Sequence, residues 1–169
     1  MWFAPEGVAP KNEYSFFRPN WYEHTAHECR AAREGVVIMD ISSFGKTMVQ
    51  GRDACAFLQW MCVSNIDVPV GKLIYTHMLN SMGGIECDIT VDRRAEECFI
   101  IYSSAGVHCR DMNWMHMHIE PDQHVSLTDV TAAYSVLNVQ GPKSRELLQS
   151  VTDTDLSNEA FPFLTAQEI

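Results

Sequence analysis

The chain has 169 residues, long enough to bury the core of one ordinary domain, and 46% of them are hydrophobic, which excludes a disordered or fibrous polymer. Twenty-two acidic residues against twelve basic ones leave a formal charge of −10, and no Lys/Arg stripe interrupts it, which argues against nucleic acid as a partner. Six scattered cysteines without a C-x-x-C pair read as reduced thiols, and the absence of any run of about 18 apolar residues argues against a membrane span.

In chain order, residues 1–20 carry Trp2, Phe3, Phe16 and Phe17 among prolines and show little periodicity. They read as an extended segment laid across another surface, because so many exposed aromatics are a liability. "WYEHTAHECRAAREG" is a helix that Gly35 stops, with Arg30 and Arg33 in its last turn. "VVIMDIS" reads as a short buried strand and "GKTMVQG" as an alternating one. "RDACAFLQWMCVS" sets Ala54, Phe57, Leu58, Met61 and Cys62 at helical spacing, with Asp53 in its first turn.

After a turn at "DVPVGK", "LIYTHMLN" and "IECDITVD" are two strands joined by "SMGG", a hairpin whose glycines supply positive φ. "CFIIYSS" is a strand, and "GVHCRDMNWMHMHI" a helix with Val107, Met112, Met115 and Ile119 on one stripe. "HVSLTDV" and "AAYSVLNVQG" read as strands. Pro142 suits the first position of the helix "PKSRELLQSV", and the tail "NEAFPFLTAQEI" ends strand-like. The expected order α-β-β-α-β-β-β-α-β-β-α-β defines an α+β fold built on antiparallel hairpins.

Candidate chemistry is sparse. His24 and His27 stand at i, i+3 with no second pair at metal spacing, so polar helix surface accounts for them better than zinc. The methionines from Met112 to Met117 fit core packing better than copper. No G-x-S-x-G, G-x-G-x-x-G or P-loop motif occurs. The second hairpin strand is the informative stretch. Ile85, Cys87, Ile89 and Val91 share a face that reads as core, while Glu86, Asp88, Thr90 and Asp92 share the other. That face is either a solvated acidic edge or a carboxylate wall lining a ligand groove, and alternation leaves both open. Across the hairpin, either Tyr75, His77 and Leu79 or Ile74, Thr76 and Met78 could face Asp88, because the register is not fixed by sequence.

"NSMGGIECDITV" resembles the N-x-x-G-G-x-x-x-D segment of the glycine cleavage T-protein (aminomethyltransferase) family. "EGVVIMDISSFGKTMVQGRDACAFLQ", "VPVGKLIYTHMLN" and "YSVLNVQGPKSRELLQ" resemble further segments of that family in the same order. "WFAPEGV...EYSFFRPNWYE" and "DLSNEAFPF" resemble the branch attached to flavin domains in dimethylglycine and sarcosine dehydrogenases. The resemblance implies that residues 1–20 are a linker after a flavin region and residues 21–169 the front of a folate-binding module, incomplete at its C-terminus. It implies tetrahydrofolate as cofactor here, FAD in a preceding domain, and a small N-methyl amine as substrate.

By the same resemblance Asp88 is the catalytic carboxylate and Tyr75 a folate contact. Phe44, Asn80, Glu86 and Ser104 are further folate-binding candidates. Ser104 stands where the family often has Asn, and Cys87 where it often has a second Asp. The expected location is the mitochondrial matrix in a eukaryote or the cytoplasm in a bacterium, not the exterior. The rival readings are a regulatory protein resembling the regulatory subunit of pyruvate dehydrogenase phosphatase, and a stand-alone aminomethyltransferase.

Overall fold

The computed structural model describes Trp2 and residues 4–169; Phe3, counted above among the N-terminal aromatics, lies outside the described residues. The elements are α1 (Tyr22–Glu34), β1 (Val37–Asp40), β2 (Gly45–Gln50), α2 (Ala54–Met61), β3 (Leu73–Leu79), β4 (Ile85–Ala95), β5 (Cys98–Ser103), α3 (His108–His116), β6 (Ser126–Asp129), β7 (Leu137–Gln140) and α4 (Ser144–Gln149). A single 3₁₀ turn covers Thr131–Ala133. The chain divides into two compact units, residues 1–39 with Leu137–Leu156, and Asp40–Val136 with Ser157–Ile169.

The first unit holds α1, α4, and β1 in a two-stranded sheet with β7. In it Trp2 stacks on His24 and donates to the side-chain oxygen of Asn12 at 2.8 Å, while Arg18 lies over the ring of Tyr22. Two expectations change here. Phe16 and Phe17 stand fully exposed rather than covered. The strand β1 exposes both Ile38 and Met39, consecutive residues that point to opposite faces of the two-stranded sheet, so it is not the buried strand expected.

The second unit is built on a five-stranded sheet in the order β3-β4-β5-β2-β6, with each neighbouring pair antiparallel. One face is apolar because alternate residues of each strand are apolar: Val49, Met78, Cys87, Ile89, Val91, Phe99 and Ile101 are all buried. Ala54, Phe57, Leu58 and Met61 of α2 and Met115 of α3 close over it. The helical spacing of "ACAFLQWM" has become a packed face, and truncating Phe57 would cost about 3–5 kcal/mol. On α3, Met115 is buried and Met112 half-buried, while Met117 is exposed past the helix end.

Three boundaries differ from expectation. Residues 130–136 are not strand: the Asp129 carboxylate accepts from the backbone N–H of Thr131 at 2.9 Å, and this local turn competes with pairing. Pro142 lies two residues ahead of α4 rather than at its first position. The tail forms one bridge, Lys72 to Thr165, rather than a strand.

Candidate functional site

The register decides which residues meet on the second face of the five-stranded sheet. His77 is opposite Asp88, and Tyr75 is opposite Thr90. From Thr90 the line continues to Tyr102 and on to Lys46, so Tyr75, Thr90, Tyr102 and Lys46 form one row across four strands. Leu73, Asp92, Ile100, Met48 and Thr128 form the next row. The set that faces Asp88 is therefore Tyr75, His77 and Leu79, one of the two alternatives that alternation left open.

Burial is graded along this face. Asp88 keeps 63% of its side chain exposed and Tyr75 is 58% exposed, whereas Asp92 is only 2% exposed. At the closed end Lys46 is fully buried, donating from Nζ to the carbonyls of Ser42 (2.9 Å) and Phe44 (3.0 Å). Arg94 approaches Asp92 at 3.5 Å and Glu168 at 2.9 Å. A cavity of about 160 Å³ lies there, between Lys46, Arg94, Ile100, Tyr102 and Tyr134. Burial, and then the neighbouring Asp92 carboxylate, push the Tyr102 phenol above its usual range. Burial alone raises Asp92 despite the opposing pull of Arg94, and one of its carboxylate oxygens has no hydrogen-bond partner among the described residues.

At the open end, three polar groups converge. The hydroxyl of Tyr75 lies 3.3 Å from Nε2 of His77, and the same nitrogen lies 3.7 Å from Oδ1 of Asp88. The Tyr75 and His77 rings meet edge to face with centroids 5.2 Å apart. A hydrogen bond to the Asp88 carboxylate pushes the Tyr75 phenol above its ordinary range. An exposed carboxylate beside a flat aromatic ring and a hydroxyl donor can accept a proton from a ligand resting on the ring.

The hairpin that delivers Asp88 is braced from within. Asn80 Oδ1 accepts from the backbone N–H groups of Met82 (3.0 Å) and Gly84 (2.9 Å), and its Nδ2 donates to Glu86 at 2.9 Å. Of the two glycines expected to supply positive φ only Gly83 does, at φ +80°, while a Cβ at Gly84 would press within 2.9 Å on the Asn80 amide. From α3, Arg110 donates to the carbonyl of Glu86, two residues before Asp88. The polar atoms of Asn80 and Glu86 are thus engaged with each other and with the turn. Ser104 and Phe44 are the residues immediately beyond the Ser103–Gly45 pair, at the rim where β5 and β2 end and begin. Both are exposed, and Phe44 gives its carbonyl to Lys46.

Sequence alone left His77 as one of two alternatives opposite Asp88 and gave Lys46 and Tyr102 no role. Their signal is the cross-strand row, which exists only once the register is known.

The sheet face and the carboxylate hairpin define an α+β module with a one-sided polar wall. The chain belongs to the family described as "GCVT N-terminal domain", whose match spans residues 2–169. It is 38% identical over 159 residues to 4-methylaminobutanoate oxidase (formaldehyde-forming) of Paenarthrobacter nicotinovorans, covering 94% of this chain and 19% of that protein. It is 36% identical over 172 residues to mitochondrial sarcosine dehydrogenase of Mus musculus, covering 92% and 18%. The fold matches the glycine cleavage system aminomethyltransferase T of Bartonella henselae with a TM-score of 0.72 at 23% identity, covering 82% of this chain and 37% of that one. The chain thus spans about a fifth of the length of the curated relatives it matches, and those two relatives are enzymes by name.

Proposed function

We propose that this chain is the front part of a tetrahydrofolate-binding one-carbon transfer module in a larger flavoprotein that oxidises a small N-methyl amine. In this reading residues 1–20 follow a flavin region that holds FAD, and residues 21–169 begin the folate module. The location is the mitochondrial matrix in a eukaryote or the cytoplasm in a bacterium. Oxidation of the amine elsewhere in the protein gives an iminium, and tetrahydrofolate captures its one-carbon unit as 5,10-methylenetetrahydrofolate.

The observation that carries this reading is the pairing of Asp88 with the exposed Tyr75 ring on an otherwise closing polar wall, in a chain of this family. The residues suit a folate. Tyr75 offers a flat face for the pteridine. Asp88 accepts the proton released as the folate nitrogen attacks, and its negative charge steadies the cation beside it. Phe44 and Ser104 extend the rim. Asn80 and Glu86 hold the hairpin at the edge of the ligand. The wall is one-sided, so later parts of the protein complete the site.

Hydrogen exchange of the full-length natural protein tests the placement. Saturating tetrahydrofolate is expected to slow exchange in residues 73–92 more than in α1 or α4. Unchanged exchange in β3 and β4 with folate bound would place the ligand elsewhere.

A further inference from the structure

His77 stands directly across from Asp88 in the register, and its Nε2 is shared between two neighbours: the Asp88 carboxylate at 3.7 Å and the Tyr75 hydroxyl at 3.3 Å. The ionisable groups set against the imidazole are Asp88 from β4 and Tyr75 from its own strand. On the other side of β3, the segment at Val63 contributes a backbone N–H to the His77 carbonyl at 3.0 Å. The side chain is 28% exposed, so the ring is held by its neighbours yet reaches solvent protons. Histidine is the residue type that changes charge between pH 5 and 8.

We propose that His77 is a positioning residue for Asp88, an imidazole whose charge decides how basic that carboxylate is when folate capture begins. The inference rests on the folate reading above and adds a residue to it. As an imidazolium, His77 pairs with Asp88, holds the carboxylate toward β3 and favours its ionised form, which makes it a weaker proton acceptor. As a neutral ring, it releases that hold and leaves Asp88 the stronger base. The Tyr75 hydroxyl, 3.3 Å away, supplies the donor that holds the neutral ring in place. The proton taken from the attacking folate nitrogen ends on Asp88 and leaves to solvent across the open face.

The test uses the full-length natural protein with His77→Gln, a permanently neutral stand-in, and His77→Lys, a permanently cationic one. Amine oxidation and 5,10-methylenetetrahydrofolate formation are followed between about pH 6 and 8. An exposed ion pair supports an effect of roughly two- to fivefold. The Gln variant is expected to capture faster than the natural protein at the acid end and to match it at the alkaline end. The Lys variant is expected to match it at the acid end and to fall behind at the alkaline end. Amine oxidation, carried elsewhere in the protein, stays unchanged in both, and hydrogen exchange across β3–β5 reports on folding of this module.

Variants whose capture parallels the natural protein across the range, or is reduced equally at every pH, overturn the proposal. Asp88→Asn run alongside separates the two levels. If it abolishes capture while the His77 variants keep the natural pH profile, the folate reading stands and the role of His77 falls. If it captures normally, both fall.

Discussion

Gly45 and His108 form a pair whose energetics can be worked out in advance. A Cβ added at Gly45 would overlap the imidazole of His108 and lie within 2.8 Å of that residue's own Cβ. The ring has little freedom to retreat. Its Nδ1 is 3.1 Å from the Ser103 hydroxyl, and its Nε2 is 3.3 Å from Asp129 and 3.5 Å from the Thr131 hydroxyl. Gly45→Ala therefore overpacks the site, which costs about 1–3 kcal/mol, and displaces the Ser103 bond, worth about 1 kcal/mol more. The expected loss is about 2–4 kcal/mol in urea denaturation.

His108→Ala removes the obstacle, at its own cost in lost bonds and a cavity. In that background Gly45→Ala should be neutral, or stabilising by up to about 1 kcal/mol, because a strand glycine carries an entropic penalty that alanine relieves. The coupling in the double-mutant cycle is then about 2 kcal/mol or more. If Gly45→Ala costs the same in both backgrounds within about 0.5 kcal/mol, the close packing of these two residues is refuted.

Other outcomes follow from the same geometry. Asn80→Ala should destabilise the hairpin by about 1–2 kcal/mol, since two backbone donors and Glu86 lose their partner; urea midpoints measure it, and no change would remove Asn80 as the brace. Asp92, raised by burial, is bound to its proton more firmly in the folded state, so its ionisation costs stability as pH climbs above 3.8. Asp92→Asn should therefore flatten the loss of stability in the window just above pH 3.8 and be at least as stable as the natural chain at neutral pH, which urea titrations across pH would show. Burial pushes the thiols of Cys62 and Cys87 up to about 12, whereas Cys29 and Cys109 are exposed. Maleimide labelling at pH 7 read by mass spectrometry should modify Cys29 and Cys109 first and leave Cys62 and Cys87 protected; early labelling of Cys87 would contradict the packing of β4. The isolated 169 residues should bind tetrahydrofolate weakly in calorimetry, because the wall is one-sided, and tight stoichiometric binding would contradict the division of the site.

What the sequence shows and what it withholds can be seen on β4. Alternation identified Cys87, Ile89 and Val91 as core, and they are buried. Ile85 shares their parity but is exposed, because the register shifts at the hairpin end and pairs it with Leu79 instead of continuing the alternation. Alternation placed Asp88 and Asp92 on one face but gave no sign that one is open and the other sealed. That gradient depends on segments far away in sequence, around Ser42, Tyr134 and Glu168, which fold over one end of the sheet. His77 was one of two alternatives opposite Asp88, and only the register decided for it. The tail, Val130 and residues 132–136 read as strands, yet the tail makes one isolated bridge and an Asp129 turn competes with pairing at Thr131.

The central claim is that Asp88 takes the proton in folate capture. The direct measurement is the ratio of 5,10-methylenetetrahydrofolate to free formaldehyde made by the full-length Asp88→Asn protein with tetrahydrofolate present. Amine oxidation should persist while folate capture falls by about a hundredfold or more, with formaldehyde rising to take its place. An unchanged ratio would contradict the claim and leave Asp88 as a surface acid of the hairpin.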